Sequence, residues 1–516
     1  MFRSLRNVAR LIRIGLTLAR HDALFPFDGI SGAGRLLRLT RPLRRTDRGR
    51  GRPGERLAAA LTELGPSFIK LGQLLSTRAD LLGDEITEDL AQLQDRLPPF
   101  PGARARALIE AEFERPIASL FAAFDDAPVA AASIAQVHFA VTTEGTEVAV
   151  KVLRPGIARA MARDLDLFLW LANLAERTQP PLRRLKPIEV VETLAQSVQL
   201  EMDLRFEAAA ASELAENFAE DPGFCVPRID WVRTGRTVLT TERIEGIRVD
   251  DRATLVAAGH DIGALLRNAA GAFFKQVFRD GFFHADMHPG NMFVDEDGAL
   301  AVVDFGIMGR LDRDTRYYLA DMLIGFLTGD YRRVAEVHFA AGYVPRRRSL
   351  DAFTQAARSI GEPILGKPLN EISIGRLLAQ LFHVTEQFDM ETQPQLLLLQ
   401  KTMVQVEGVG RKLDPTVNIW TLARPLVEDW MRENRGPEAQ LRQRLDALVE
   451  ALAEVPRLLR NLDKLIGDWA QEGVILHAES LATQAAHRAR LLPLLVIPLW
   501  IAAAALVAIA AVLLGR

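Results

Sequence analysis

Three oxygen-bearing side chains that suit phosphate chemistry follow one another at Asp286, Asn291 and Asp304. They belong to the segments HADMHPGN and VVDFG, which a hairpin is predicted to join. Carboxylate and amide oxygens hold Mg²⁺ against phosphates, and a carboxylate can accept the proton of an attacking hydroxyl group. The order and spacing therefore predict a phosphoryl-transfer site. Asp286 is the predicted catalytic carboxylate, and Asn291 and Asp304 are the predicted magnesium ligands.

Two histidines flank the catalytic carboxylate, His284 and His288. On a strand they would share a face with Asp286, as a metal site with histidine ligands would require. The following Pro289-Gly290 favours a loop instead, so we interpret His284 as a residue that orients the loop. His288 stands where ordinary protein kinases have a lysine that holds the transferred phosphate. A largely neutral imidazole supplies less charge, which predicts slow or specialised transfer.

A lysine upstream of this segment completes the predicted site. Lys151 ends the strand-like run Val-Ala-Val-Lys, and a strand lysine of this kind contacts the α- and β-phosphates while a helix glutamate holds it. Two glutamates, Glu201 and Glu207, lie in a long predicted helix. At about 100° per residue they point about 120° apart, so we expect them to serve different partners.

The loop before Lys151 contains no glycine. Kinases use glycine here because it lets the backbone approach the phosphates, whereas alanine narrows the accessible backbone conformations. We predict that this alanine-rich loop binds the nucleotide and tunes its choice or position. Its residues are Ala130, Ala131, Ala132, Ser133, Ile134, Ala135, Gln136, Val137 and His138.

The elements around these residues predict an α+β fold. A hairpin turn at 143–146 separates two strand-like segments, and Pro98, Pro99 and Pro101 end the first helical block. After Asp312 the pattern is helical almost to the C-terminus. Strands are predicted at 129–140, 147–153, 237–244 and 292–303, and helices at 55–97, 156–177 and 187–219.

Both ends of the chain carry signals for membranes. Residues 1–40 form a basic amphipathic segment with arginines at 3, 6, 10, 13 and 20. It has three interpretations: a helix on anionic lipid, a transit peptide, or an ordinary helix with a solvated face. Residues 491–514 carry no charge and are long enough to span a bilayer. Because the positive flank precedes this span, the rest of the chain is predicted to be cytoplasmic.

Composition excludes some classes of function. The net charge is −3, from 63 basic and 66 acidic side chains, so no basic field attracts nucleic acid, which is not an expected partner. The single cysteine, Cys225, rules out an intramolecular disulfide and a thiolate zinc cluster. The Arg/Gly/Pro-rich residues 41–56 are interpreted as an exposed linker.

Several motifs together resemble the UbiB family of atypical kinases, in its bacterial branch. They are the alanine-rich loop, Lys70-Leu71-Gly72-Gln73, Glu201-x-Asp203 and His284-x-Asp286-x-His288-Pro-Gly-Asn291, and they cover about residues 61–310. Many members of the family have glycine where this chain has Ala135.

The resemblance implies roles for further residues. Helices that carry Lys70 and Gln73 would fold over the active site as a regulatory cover, with Glu201 paired to Lys70 and Glu207 paired to Lys151. Glu242 would belong to the hinge between the lobes, whose backbone binds adenine. The expected ligands are ATP and Mg²⁺.

A two-lobed kinase-like fold follows, with a helical N-terminal extension and a C-terminal transmembrane helix. The extension with its Lys-x-Gly-Gln motif is assigned to 57–127, the N-lobe to 128–245, the helical C-lobe to 246–490 and the membrane helix to 491–514.

The resemblance also implies an atypical kinase or ATPase that supports ubiquinone biosynthesis at the bacterial inner membrane. Membrane lipid or quinone precursors and other ubiquinone-biosynthesis enzymes are the expected partners. Two alternatives stay open: a nucleotide-gated scaffold without catalysis, and a phosphotransferase that acts on small molecules.

Overall fold

The computed structural model describes residues 2–24, 51–76, 83–91, 93, 97–178, 187–363, 384–385, 387–390, 393–416 and 425–432. All belong to the first of two units into which the chain divides, Met1–Arg432. The predicted membrane span, 491–514, lies outside the described residues. Within the described residues, no helix has the length and apolar character needed to cross a bilayer.

Runs of helices alternate with runs of strands as far as Arg310, and the described elements after Arg310 are all helices. The helices are α1 Phe2–Arg20, α2 Pro53–Leu64, α3 Pro66–Leu75, α4 Asp84–Ala91, α5 Gly102–Phe113, α6 Ile157–Thr178, α7 Pro187–Glu201, α8 Leu204–Asn217, α9 Arg252–Ala257, α10 Ile262–Phe274, α11 Arg313–Thr328, α12 Tyr331–Ala340, α13 Leu350–Gly361 and α14 Pro394–Leu413. The strands are β1 Phe121–Phe124, β2 Ala130–Ala131, β3 Ala135–Thr142, β4 Glu147–Leu153, β5 Phe224–Cys225, β6 Val238–Glu242, β7 Ile247–Arg248, β8 Phe282–His284, β9 Met292–Val294, β10 Leu300–Val302 and β11 Met308–Arg310.

The predicted linker, residues 41–56, ends earlier than we predicted. Helix α2 begins at Pro53, so the segment that we read as linker to residue 56 is already helical in its last residues. Proline at the first helical positions has no N–H to leave unpaired. The Glu55 carboxylate also accepts a hydrogen bond from the Arg52 N–H at 2.9 Å. The helix therefore begins at Pro53, just before the predicted start at residue 55 and inside the Arg/Gly/Pro-rich segment.

Helix α1 uses its apolar side for packing within the protein. Leu18 and the nearby Ala23 are buried in one core cluster with Leu57 and Leu61 of α2. Its polar side also makes a specific contact, because Arg10 pairs with the buried Asp164 of α6. Of the three interpretations of this segment, the described contacts match an ordinary protein helix.

The N-lobe is an antiparallel sheet in the order β1-β3-β4-β6, with β2 paired to β3. The predicted hairpin is confirmed: β3 and β4 pair with Val137 opposite Lys151. Strand β1, Phe121–Phe124, lies inside the range 57–127 that we predicted to be a helical extension. A four-residue apolar run gives no periodicity from which a strand could be recognised.

The long helix predicted over 187–219 is broken into α7 and α8. Asp203 is the N-cap of α8, because its carboxylate accepts a hydrogen bond from the Arg205 N–H. The Leu204 N–H donates to the Arg236 carbonyl outside the helix, at 2.9 Å. The capping aspartate therefore starts a second helix that carries Glu207.

The C-lobe surrounds a four-stranded sheet in the order β5-β10-β9-β7, and a separate pair joins β8 to β11. The hairpin predicted over 292–303 is confirmed by the pairing of β9 with β10. A π-helical turn, Lys275–Asp280, connects α10 to β8. Helix α14 packs against α10 and β11, so a distant part of the chain lies beside the catalytic segment.

Candidate active site

Lys151 of β4 joins two carboxylates from different parts of the chain. Its Nζ lies 2.7 and 3.0 Å from the two carboxylate oxygens of Glu207 in α8, and 2.9 Å from Asp304 Oδ1. The Lys151 and Glu207 side chains are 15% and 9% exposed. The predicted pairing of Lys151 with Glu207 is confirmed. The same contacts bring the sheet of the N-lobe to the predicted metal-binding segment.

The protonation of this cluster follows from burial and opposite charge. Burial alone would lower the pKa of Lys151, but the charges of Asp304 and Glu207 hold that pKa above its ordinary value. Burial and the charge of Asp304 raise the pKa of Glu207 to about 7 against the opposing effect of Lys151. Burial would also raise the pKa of Asp304, yet Lys151 holds that pKa well below the ordinary value. Asp304 is therefore ionised.

The backbone at Asp304 is in an unusual conformation, with φ at 66°. This left-handed region is uncommon outside glycine, although aspartate tolerates it better than most residues. The Gly306 N–H lies 3.4 Å from Asp304 Oδ1, which holds the carboxylate over the turn. The chain then enters β11, where Met308 pairs with His284 of the catalytic segment. This pairing fixes the two segments against each other.

His284 orients the catalytic loop, as predicted. Its Nδ1 accepts a hydrogen bond from the Asp286 N–H at 3.2 Å, and its Nε2 faces the Val303 carbonyl at 3.4 Å. Burial lowers the pKa of His284, although the charges of Asp286 and Asp304 oppose this effect. A buried neutral imidazole that uses both nitrogens for protein contacts is an orienting group rather than a metal ligand.

Asn291 and Asp304 suit a magnesium ion that is shared with phosphates. Asn291 Nδ2 donates to the Asp286 carbonyl at 3.2 Å, so the amide oxygen is the atom left for a cation. Magnesium is commonly held by one or two protein oxygens together with phosphate oxygens and water. Among the described residues, no three His, Cys, Asp or Glu side chains converge on one metal position. Asn291 and Asp304 therefore fit an ion that binds together with the nucleotide, and such an ion would neutralise phosphate charge there.

Hydrogen bonds from Arg154 fix the backbone of the alanine-rich loop. Arg154, directly after β4, donates to the Ala132 carbonyl from Nε at 3.0 Å and from Nη2 at 2.7 Å. It also donates to the Pro98 carbonyl at 2.9 Å. Ala132 N–H closes the turn onto the Ala135 carbonyl at 2.8 Å. Ala130 and Ala131 form β2, while Ser133, Ile134 and Ala135 are buried in the turn and the start of β3.

The side chains of Gln136 and His138 face the interior of the N-lobe. Gln136 accepts from the Phe100 N–H at 2.9 Å and donates to the Phe100 carbonyl at 3.1 Å. His138 lies 2.8 Å from the Gln136 amide and 2.7 Å from the Asp125 carbonyl. Because both side chains are committed to the protein, a nucleotide contact at these two positions would come from the backbone.

The carboxylate and the N–H of Glu242 are both bonded to Arg228. Its carboxylate pairs with Arg228 at 3.2 Å, and its N–H donates to the Arg228 carbonyl at 2.8 Å. The predicted hinge strand is present as β6, and the binding of adenine by its backbone stays a prediction.

The Lys-x-Gly-Gln segment lies in α3 and reaches the site. Lys70 Nζ lies 2.8 Å from Glu201, and both side chains are about 10% exposed, at 11% and 10%. The predicted pairing of these two residues is confirmed. The charge of Lys70 also helps to lower the pKa of Asp304, after the larger effect of Lys151. Gln73, one turn later, is half-buried.

Gly72 shows why the helix needs a residue without a side chain. A Cβ atom at this position would lie 2.5 Å from the Leu93 side chain and 2.8 Å from that of Leu61. Helix α3 therefore packs closely against its neighbours, and Lys70 is held at a fixed depth.

Comparisons with known proteins now agree with this geometry. Residues 92–338 match the ABC1 atypical kinase-like domain, and residues 357–418 match the UbiB helical domain. A relative from Marinobacter nauticus, described as a probable protein kinase UbiB, is 43% identical over 464 residues, or 88% of this chain and 85% of the relative. The chain belongs to the UbiB family. A relative from Xylella fastidiosa with the same description is 42% identical over 470 residues, covering 88% and 84% of the two chains.

The kinase-like α+β fold is supported by a solved structure as well. The Rv3197–erythromycin complex from Mycobacterium tuberculosis superimposes with a TM-score of 0.51 at 26% identity. The match covers 72% of this chain and 94% of that one. The predicted UbiB resemblance and the kinase-like fold are both confirmed.

The UbiB helical domain supplies two site residues that the sequence analysis missed. Lys401 Nζ and Gln405 Nε2 of α14 each lie 3.0 Å from Asp286 Oδ1. Burial would raise the pKa of Asp286, but Lys401 and Gln405 together hold that pKa below the ordinary value. The available signal was their i, i+4 spacing beside an apolar helix face, in a region that we predicted only to be helical.

Proposed function

We propose that this UbiB-family protein is an atypical kinase or ATPase that binds magnesium and ATP and promotes ubiquinone biosynthesis. The observation that carries the proposal is Lys151, whose ammonium group connects Glu207 and Asp304. An ion pair between a strand lysine and a helix glutamate, next to a metal-binding aspartate, is the arrangement that active kinases need. Asp286 is the group that would orient the attacking hydroxyl.

The link to ubiquinone rests on the family, whose relatives are described as UbiB proteins. Within this proposal the protein works at the bacterial inner membrane, anchored once by residues 491–514 with its kinase-like domain in the cytoplasm. Its partners are membrane lipid or quinone precursors and other enzymes of the pathway. Hydrolysis of ATP would drive access to apolar precursors held in the bilayer.

The test combines cells with purified protein. A strain that lacks the gene is complemented with wild type, Asp286→Asn or Asp304→Asn, and its ubiquinone content is measured. ATPase rates of the same full-length proteins are measured in detergent or lipid. Asp297→Asn, at an exposed hairpin turn of the same lobe, is the matched control because it makes the same change outside the site. We expect Asp286→Asn and Asp304→Asn to lower turnover by about 100-fold or more.

The two variants separate the proposal from the scaffold alternative. Loss of quinone and of hydrolysis in both variants, with the control unchanged, supports an enzyme. Restoration of quinone by Asp286→Asn without ATP turnover supports a nucleotide-gated scaffold. Wild type that neither binds nor hydrolyses ATP, and behaves like Asp304→Asn, would overturn the proposal.

A further inference from the structure

The catalytic loop lacks a cation of its own. Residues 284–291 contain no lysine or arginine. His288 does not replace one in this arrangement, because its Nδ1 accepts a hydrogen bond from the Gly290 N–H at 3.1 Å and caps the short turn Pro289–Asn291. Lys151 is engaged with Glu207 and Asp304. Besides the ion that Asn291 and Asp304 would hold, none of these side chains offers a positive charge to a phosphate transferred near Asp286.

Lys401 brings a cation to Asp286 from 115 residues away along the chain. Its Nζ lies 3.0 Å from Asp286 Oδ1, and Gln405 Nε2 donates to the same oxygen at 3.0 Å. Oδ2 accepts no hydrogen bond from the residues that the structure describes. One carboxylate oxygen is thus held by α14, which leaves the other for the acceptor hydroxyl.

The position of Lys401 is fixed by the packing of its helix. An apolar stripe of α14 is buried in the core of the C-lobe, at Leu399, Val406, Val409 and Leu413. These residues recur at helical spacing, so they set the rotation of the helix. Lys401 and Gln405 are four residues apart and share one edge of that stripe. Core packing, rather than a flexible contact, therefore directs both side chains at Asp286.

The contact still leaves the ammonium group accessible. The Lys401 side chain is 39% exposed and that of Asp286 is 32% exposed. An ammonium group has three N–H donors, of which one points to Asp286 in this arrangement. The described residues offer no further partner to the Lys401 ammonium group, so its other two donors can meet a phosphate oxygen.

We propose that Lys401 is the catalytic cation that binds the γ-phosphate of ATP, supplied by the helical domain in place of a lysine in the catalytic loop. The assignment rests on the proposed function and deepens it. The acceptor oxygen forms a bond to the γ-phosphorus while the bond from that phosphorus to the β–γ bridging oxygen breaks and ADP leaves. The acceptor proton passes to Asp286 Oδ2, and Lys401 compensates the negative charge on the phosphoryl oxygens.

The test is equilibrium binding of ADP and of the non-hydrolysable analogue AMP-PNP to the full-length protein, each with Mg²⁺, together with ATP turnover. Lys401→Met removes the charge but keeps the length of the side chain, and Lys401→Arg keeps the charge. The matched control is Lys412→Met on the same helix, where the lysine pairs with Asp250 at 3.6 Å and is 58% exposed. Melting temperatures show that each variant is folded.

The expected result is selective for the γ-phosphate. Lys401→Met weakens AMP-PNP binding by about tenfold, as for loss of one charge-assisted contact, and leaves ADP binding within about twofold. Turnover falls by about 100-fold, while Lys401→Arg recovers most of the AMP-PNP affinity and Lys412→Met changes nothing.

Other results would overturn the assignment in distinguishable ways. Equal AMP-PNP affinity in wild type and Lys401→Met, with binding lost in Asp304→Asn, removes Lys401 from the site but leaves the proposed function standing. Faster turnover in Lys401→Met would make the contact inhibitory instead. If wild type binds neither nucleotide, the proposed function fails and the assignment fails with it.

Discussion

Two lysine–carboxylate pairs define the two halves of the candidate site, and they differ in burial. Lys151 and Glu207 in the N-lobe half are 15% and 9% exposed. Lys401 and Asp286 in the catalytic-loop half are 39% and 32% exposed. A buried pair holds a fixed geometry because separation would leave a charge without water, whereas a partly exposed pair can exchange partners at little cost. The first pair is suited to anchoring and the second to handling a substrate.

Substituting one lysine at a time tests the difference between the two pairs most directly. We expect Lys151→Met to lower the free energy of unfolding by about 3 kcal/mol, because Glu207 loses its partner in a buried place. That value is at the low end for a broken buried pair, because burial raises the pKa of Glu207 and the carboxylate can take up a proton once Lys151 is removed. Lys401→Met is expected to cost less than about 1 kcal/mol. Urea denaturation of the full-length protein measures both.

The double variant Lys151→Met/Glu207→Leu is the control for this experiment. It removes both charges and should be more stable than Lys151→Met alone. Equal losses of stability in Lys151→Met and Lys401→Met would contradict the distinction between an anchored and an exchangeable pair.

Substituting Arg154 tests whether nucleotide binding in the N-lobe half depends on a residue other than Lys151. Arg154→Ala removes the hydrogen bonds that hold the Ala132 carbonyl and should loosen the alanine-rich loop. We expect ATP affinity to fall by about tenfold, equivalent to about 1.4 kcal/mol. Isothermal calorimetry measures the affinity, and Arg159→Ala on the exposed start of α6 is the control. Unchanged affinity would show that the contacts of Arg154 with the loop are not needed for ATP binding.

Each half of the site contains a buried histidine, and these histidines make the stability of the protein depend on pH. Burial lowers the pKa of His138 in the N-lobe and of His284 in the catalytic loop below the ordinary value of 6.5. The unfolded chain therefore binds more protons than the folded chain below about pH 6.5, and stability is lost as the pH falls through the folded pKa values. Each histidine contributes a slope of up to about 1.4 kcal/mol per pH unit.

The variant His138→Phe isolates the N-lobe contribution. A phenylalanine ring can occupy the place of the imidazole, which stacks on Phe124 with centroids 4.9 Å apart. Urea denaturation between pH 7 and pH 5.5 should give a shallower slope for the variant than for wild type. Parallel slopes would show that His138 does not titrate on unfolding.

The sequence predicted those parts of the site that lie within short segments. Asp286, Asn291 and Asp304 follow one another in a contiguous motif, and the strand before Lys151 has a clear alternating pattern. Lys401 and Arg154 escaped prediction because their roles depend on what they contact in space, and no local spacing relates Lys401 to a residue 115 positions earlier. The broken helix at Asp203 escaped because a capping aspartate looks like any surface acid within a helical pattern.

The family motifs supplied what the pattern alone did not. The pairing of Lys70 with Glu201 joins segments more than 100 residues apart, and it was predicted only because the resemblance implied it. The strand Phe121–Phe124 was missed for the opposite reason: it is short, and no motif marks it.

The side chain of Gln136 makes the pair of hydrogen bonds that the backbone of a neighbouring strand would make. It accepts a hydrogen bond from the Phe100 N–H and donates one to the Phe100 carbonyl. This has a practical consequence for shortened versions of the protein. A truncation at residue 128, where the N-lobe was predicted to begin, would remove Phe100 and strand β1 and would leave a buried amide on β3 without its partners. We expect such a fragment to aggregate on expression. A start at residue 97 would retain Phe100 and the carbonyls that Arg154 binds, but it would leave the buried Glu201 and Asp164 without Lys70 and Arg10. A recombinant kinase-like domain should therefore keep helices α1–α4.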